Sequence, residues 1–143
     1  MKLPDVNLLV YTTDESSPHC ARARSWLEEA LSGTEEIGFA WLALVGFIRI
    51  STSPAAFSSP LSTTKAFEYV DSWLGAPVAM VVHPSDRHAT RLRELLESIG
   101  STGGNLTSDA HLAALAIEHG AELCSHDTDF ARFDGLRWTD PLR

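Results

Sequence analysis

Basic side chains are scarce in this chain. Eleven lysines and arginines stand against 19 aspartates and glutamates, a formal net charge of −8. Gripping nucleic acid by bulk positive charge is excluded, because phosphate neutralisation needs many cations, while a local basic patch or a bound metal is not. Cysteine is scarcer still. Cys20 and Cys124 lie far apart and form no C-x-x-C pair, so two buried, reduced thiols are expected rather than a disulfide framework or a thiolate zinc site. No apolar run reaches membrane length: Ile37 to Ile48 has 12 residues, whereas a bilayer takes about 20. The opening Met1-Lys2-Leu3-Pro4-Asp5 lacks the pattern of a signal peptide, and a soluble cytoplasmic protein is expected. H-E-x-x-H, G-x-S-x-G, P-loop and G-x-G-x-x-G motifs are all missing, which removes zinc-protease, serine-hydrolase, NTPase and dinucleotide-binding readings.

What is present fits one ordinary domain over residues 1–143, with 44% hydrophobic and 21% charged residues. At this length an unaided core is expected. Leu3 to Tyr11 is a compact apolar run that reads as a buried strand. Ser17-Pro18 marks a helix start, with Cys20, Ala23, Trp26, Leu27, Ala30 and Leu31 at three-four spacing and Gly33 as the stop. Glu36 to Phe39 reads as a short strand and Ala40 to Ile50 as a mostly buried helix. Ser62 or Thr63 caps a helix ending at Gly75, and Ala76 to Val82 reads as a strand. Ser85 caps an amphipathic helix closed by Gly100, and Ser101 to Asn105 forms a flexible connection. Thr107 caps the next helix, Ala121 to Ser125 is a further strand, and Leu136 to Trp138 a short last one. Strands apolar on both faces, alternating with helices, predict an α/β fold with a parallel sheet between helices.

In such a sheet the chemistry gathers at the carboxyl ends of strands and at the helix starts beyond them. Four aspartates fall there: Asp5 in the first apolar run, Asp109 in the first turn of the Thr107 helix, and Asp127 and Asp129 after the Ala121–Ser125 strand. A first-turn aspartate also serves the helix dipole, and a D-x-D after a strand also serves a turn. Asp5 is less easily explained this way, since an ionised carboxylate among apolar neighbours costs several kcal/mol unless a cation meets it. A divalent metal satisfies all four carboxylates at once. An oxygen-only ligand set suits Mg²⁺ or Mn²⁺ and points to metal-dependent phosphoryl chemistry.

The segments L-P-D-V-N-L-L-V-Y (3–11), W-L-A-L-V-G-F-I-R-I (41–50), L-T-S-D-A-H-L-A-A-L-A (106–116) and H-D-T-D-F-A-R-F (126–133) resemble PIN-domain ribonucleases, specifically the VapC-type toxins, in a branch abundant in mycobacteria. The resemblance runs from Leu3 to about Trp138. It implies a PIN-like three-layer α/β/α domain around a parallel sheet. The implied activity is Mg²⁺- or Mn²⁺-dependent endonucleolytic cleavage of RNA, leaving 5′-phosphate and 3′-hydroxyl ends, as the toxin of a type II toxin–antitoxin system. The implied partners are a cognate VapB-type antitoxin and a second copy in a homodimer, with no membrane. By matching positions, Asp5, Asp109 and Asp127 are the catalytic metal ligands, with Asp129 helping to hold metal or water. Asn7 and Thr107 stand beside them as orienting groups.

One position departs from the family pattern. Many PIN domains carry a glutamate three residues before an arginine on the helix after strand two. Here the arginine is Arg49 and the earlier position is Gly46, with no acid anywhere from Ile37 to Phe67. Fewer anionic ligands imply weaker metal binding, with a second ion arriving only with the RNA. The alternative is a binding module too ligand-poor to cleave, acting through its antitoxin complex in transcriptional autoregulation. Arg49, and Arg87 with Arg91 on the Ser85 helix, are the candidate RNA-backbone contacts. His126 is the histidine beside the proposed site. Trp26, Trp41, Trp73, Phe67 and Tyr69 read as core or partner-facing.

Overall fold

The computed structural model describes residues 1–100, 104 and 106–143. Apart from Gly104, the connection expected at Ser101–Asn105 lies outside the described residues. Five short strands, β1 (Lys2–Pro4), β2 (Ile37–Ala40), β3 (Ala79–Val82), β4 (Glu122–Cys124) and β5 (Trp138–Thr139), form one sheet in the order β3-β2-β1-β4-β5. Every pairing is parallel. Six helices accompany it: α1 (Val6–Thr13), α2 (Cys20–Leu31), α3 (Trp41–Ser51), α4 (Thr63–Leu74), α5 (His88–Ser98) and α6 (Leu106–Glu118). None is long and apolar enough to cross a membrane.

The two-residue alternation of strands divides the core between the faces of the sheet. Leu3, Ala40, Val82 and Leu123 pack against α5 and α6 through Leu95, Leu112 and Leu115. Ile37 and Phe39 turn the other way, onto Leu9, Leu27, Leu44, Phe47, Val70 and Trp73 of α1 to α4. These two layers around the sheet make the α/β/α sandwich. Cys20 and Cys124 are buried free thiols, and burial pushes the Cys124 thiol up to about 12.

The first apolar run is corrected by the structure. Only Lys2–Pro4 is strand; the chain turns at Asp5 and continues as helix α1. The run lacks helical periodicity because α1 is enclosed: Leu8 and Leu9 are fully buried and Val10 nearly so. Asp5 is therefore an N-terminal cap with extended backbone, its carboxylate accepting from the Val6 amide at 2.7 Å. Three other helix starts also shift: α2 begins at Cys20 after His19, beyond the expected Ser17-Pro18 start. Thr107 lies within α6, which begins at Leu106, and Ser85 precedes α5 by three residues. Ser62 caps α4 as expected, accepting from the Lys65 amide. Gly120 ends α6 at φ +61, a backbone region that favours glycine.

Candidate active site

Register fixes the site. Pro4 pairs with Cys124, and the Asp5 amide extends that ladder to the Cys124 carbonyl at 2.9 Å. The turns after β1 and β4 thus open side by side at the carboxyl edge of the sheet. Asp127 leaves the second of them as the cap of a short 3-10 turn, Thr128–Arg132, its carboxylate accepting from the Asp129 amide at 2.8 Å. Asp109 enters from the first turn of α6. Asp109, Asp127 and Asp129 each present a carboxylate oxygen, and these oxygens lie within 4.8 Å of one another.

Asp5 stands beside this trio rather than within it. Its carboxylate is committed at both oxygens, Oδ1 to the Val6 amide and Oδ2 to the Ser125 hydroxyl at 2.7 Å. Burial raises its pKa, the bonds from Ser125 and Val6 oppose that rise, and the charge on Asp127 adds to it. Asp109 is pushed up to about 6, first by burial and then by the charges of Asp5, Asp127 and Asp129. Among the described residues, no lysine or arginine forms an ion pair with any of the four. Four acids that no cation among the described residues balances, one with its pKa raised by burial and then by its neighbours' charges, are a donor set that fits a divalent ion.

Ser125 is the residue that the sequence did not disclose. It is fully buried. Its hydroxyl donates to Asp5 and accepts from the Asn7 side-chain amide at 3.1 Å and from the Asp127 backbone amide at 3.0 Å. One oxygen thus joins the β1 turn, the start of α1 and the β4 turn. Its position directly after β4, two residues before Asp127, is the one signal the sequence carries. Asn7 acts on the acids through this serine. Thr107 is exposed in the first turn of α6, while its neighbour Ser108 shares a cleft with Asp5 and Asp109.

Leu42, Val45, Gly46 and Arg49 of α3 line that same cleft. Arg49 is exposed and, among the described residues, has no carboxylate partner. Arg87 and Arg91 sit elsewhere. Arg87 lies at the start of α5 beside Ser85, which binds Glu118 at the far end of α6 from Asp109, and Arg91 faces Glu94 at 3.5 Å. At 1.5 Å per residue, the Asp109 and Glu118 positions are about 13 Å apart along the helix. His126 turns to Asp140, with Nδ1 2.8 Å from Oδ2.

Gly46 has a steric reason. A Cβ there would fall 2.7 Å from Cγ2 of Val6, so α1 occupies the space that a side chain needs. Gly46→Glu is expected to cost about 1–3 kcal/mol by overpacking. That lowers Tm by roughly 3–9 °C. Adding Val6→Ala, which removes the obstructing methyl, recovers most of the loss. Thermal denaturation of the single and double variants, with and without Mg²⁺, checks this.

The model of the family described as PIN domain matches residues 2–136. The chain belongs to the PIN domain family. Relatives include Ribonuclease VapC37 of Mycobacterium tuberculosis, 46% identical and matched over 99% of this chain and 97% of that protein. Ribonuclease VapC33 of the same species is 43% identical over 100% and 99%. Among solved structures, this PIN domain is similar to VapBC2 from Rickettsia felis bound to a promoter DNA fragment, with TM-score 0.69 at 21% identity, covering 96% of both chains. It is also similar to VapBC-1 from nontypeable Haemophilus influenzae, with TM-score 0.67 at 18% identity, covering 99% and 98%. Those identities speak to the fold of the PIN domain alone.

Proposed function

We propose that this PIN domain is the toxin of a VapBC-type system, an endoribonuclease that hydrolyses RNA phosphodiesters with Mg²⁺ or Mn²⁺ at the acid cluster. The observation that carries the reading is the carboxylate trio Asp109, Asp127 and Asp129 at the sheet edge, with Asp5 beside it and, among the described residues, no ion-paired cation to balance the charge. Relatives named as ribonucleases at 43–46% identity over nearly the whole chain support it.

Asp109, Asp127 and Asp129 would hold the ion, with Asp5 adding its charge from behind. When bound, Mg²⁺ or Mn²⁺ supplies positive charge for phosphate oxygens and a lower pKa for the attacking water. Ser125 and Asn7 keep Asp5 and the Asp127 turn in place, so the carboxylates need little reorganisation when a phosphate arrives. Arg49 lines the same cleft with no carboxylate partner among the described residues and is the backbone contact best placed to meet that phosphate. Arg87 and Arg91 remain candidates for a more distant stretch of RNA. The exposed Trp41, Leu42 and Val45 at the cleft form an apolar face that favours a protein partner, an antitoxin or a second copy.

The test is purified protein with several RNAs and Mg²⁺ or Mn²⁺. Cleavage is expected with either ion and is expected to stop when a chelator is added and resume when the ion is restored. Cleavage that persists in excess chelator would overturn the metal-nuclease reading. No cleavage of any RNA, with antitoxin binding intact, would favour the binding module instead.

A further inference from the structure

On the β4 side of the acids, three rings come together that the chemistry above leaves unused. The His126 ring centroid is 4.5 Å from that of His19 and 6.1 Å from that of Tyr11, and Tyr11 and His19 lie 5.0 Å apart. The rings come from three segments: α1, the residue before α2, and the turn that carries Asp127. His126 is held by Asp140, yet 28% of its side chain stays exposed. Asp140 also pairs with Arg143, Nε to Oδ2 at 3.0 Å. Arg22 donates through Nε to the Pro141 carbonyl and through its guanidinium to the Arg143 carbonyl. Both arginines are exposed.

A cluster that served packing alone would gain more from leucine or phenylalanine in full burial. Here the rings are partly exposed and carry polar edges, and the segment 140–143 that holds His126 through Asp140 also carries or binds two exposed guanidiniums, those of Arg143 and Arg22, in a chain otherwise poor in positive charge. Single-stranded nucleic acid is bound by that combination, with aromatic faces under the bases and cations along the backbone. Strand order adds a direction. Relative to β1 and Asp5, α3 with Arg49 follows β2 on one side, and His126 follows β4 on the other. An RNA strand crossing the acids from the Arg49 cleft therefore runs onto the rings.

We propose that Tyr11, His19 and His126 form a stacking subsite for an unpaired RNA base next to the scissile phosphate, with Arg22 and Arg143 beside the backbone. This subsite rests on the ribonuclease reading above. His19 is the residue to test, since it is partly exposed and is not one of the acids or their supports.

Binding of a labelled single-stranded RNA is measured on Asp109→Asn protein, which leaves the strand uncut. Adding His19→Ala is expected to weaken binding roughly 5- to 100-fold, and His19→Phe to preserve it. In the wild-type background, His19→Ala raises KM by the same factor with kcat little changed. When an abasic nucleotide is moved along the RNA, the His19→Ala loss vanishes at the stacked position. Unchanged binding and KM in His19→Ala, while the parent still cleaves, overturns the subsite and leaves the nuclease reading standing. An equal loss in the Ala and Phe variants overturns stacking as the mode. Parent protein that neither binds nor cleaves RNA overturns both readings.

Discussion

Asp109→Asn is expected to lower RNA cleavage by roughly 1,000-fold and, in the absence of a divalent ion, to make the protein more stable. The two effects share one cause. In the fold the Asp109 carboxyl is raised from 3.8 to about 6 by burial and by three neighbouring acids. A carboxyl whose folded pKa exceeds its unfolded value holds its proton more tightly in the fold. Its favourable contribution is complete below pH 3.8 and is lost as pH rises through about 6. Ion-free wild type should therefore melt at falling temperatures between about pH 4 and pH 7, while Asp109→Asn shows a flatter profile. A divalent ion replaces the missing proton. At about 100 times Kd, linkage supplies about 2.7 kcal/mol, a rise of roughly 5–10 °C at neutral pH, and most of that rise is absent from Asp109→Asn. Melting curves against pH, with chelator or with Mg²⁺, read the whole pattern. A variant that melts below wild type in chelator at pH 7.5 would show that Asp109 is structural rather than strained.

Ser125→Ala is the second large effect, and it runs the other way: stability and activity fall together. The methyl group leaves Asp5 Oδ2, the Asn7 amide and the Asp127 backbone amide without the partner that now serves all three. Each group lies in or against the buried turn, where a lost partner costs about 1–3 kcal/mol. Partial rearrangement of Asn7 toward Asp5 keeps the total near about 3 kcal/mol, a drop of roughly 6–12 °C. The hydroxyl also holds the Asp5 pKa down, so its removal raises that pKa further and weakens metal binding. A fall in kcat of roughly 10- to 100-fold is expected. Thermal denaturation and a titration of cleavage against Mg²⁺ concentration test both parts, and an unchanged Tm would show that Ser125 is not the joint between the turns.

Asp5, Asp127 and Asp129 stood out in the sequence because they break a local rule, a charge in an apolar run or acids crowded past the end of a strand; Asp109 follows one, the first-turn preference for acids, and was singled out only by its place at a helix start beyond the sheet. The parallel sheet was legible from strands apolar on both faces. Helix α1 was not, because enclosure on all sides leaves no polar stripe for periodicity to detect, and the run after Asp5 reads equally well as strand. Helix starts at Leu106 and His88 were missed by one to three residues because threonine and serine favour capping without requiring it. Ser125 was hidden for a different reason: a serine at a strand end is ordinary, and its three partners come from positions 5, 7 and 127, which only the β1–β4 register brings together. Gly46 was visible as an absent acid; that Val6 takes its space needed the packing of α1 on α3.

That register also governs when the site exists. Asp5 and Ser125 lie 120 positions apart, and Asp5 is held by that serine and joined by Asp127 and Asp129 only once β1 and β4 pair. A partly folded polypeptide carries Asp5 without the strand that completes its surroundings. A PIN domain built this way loses its acid cluster whenever that single strand pairing opens.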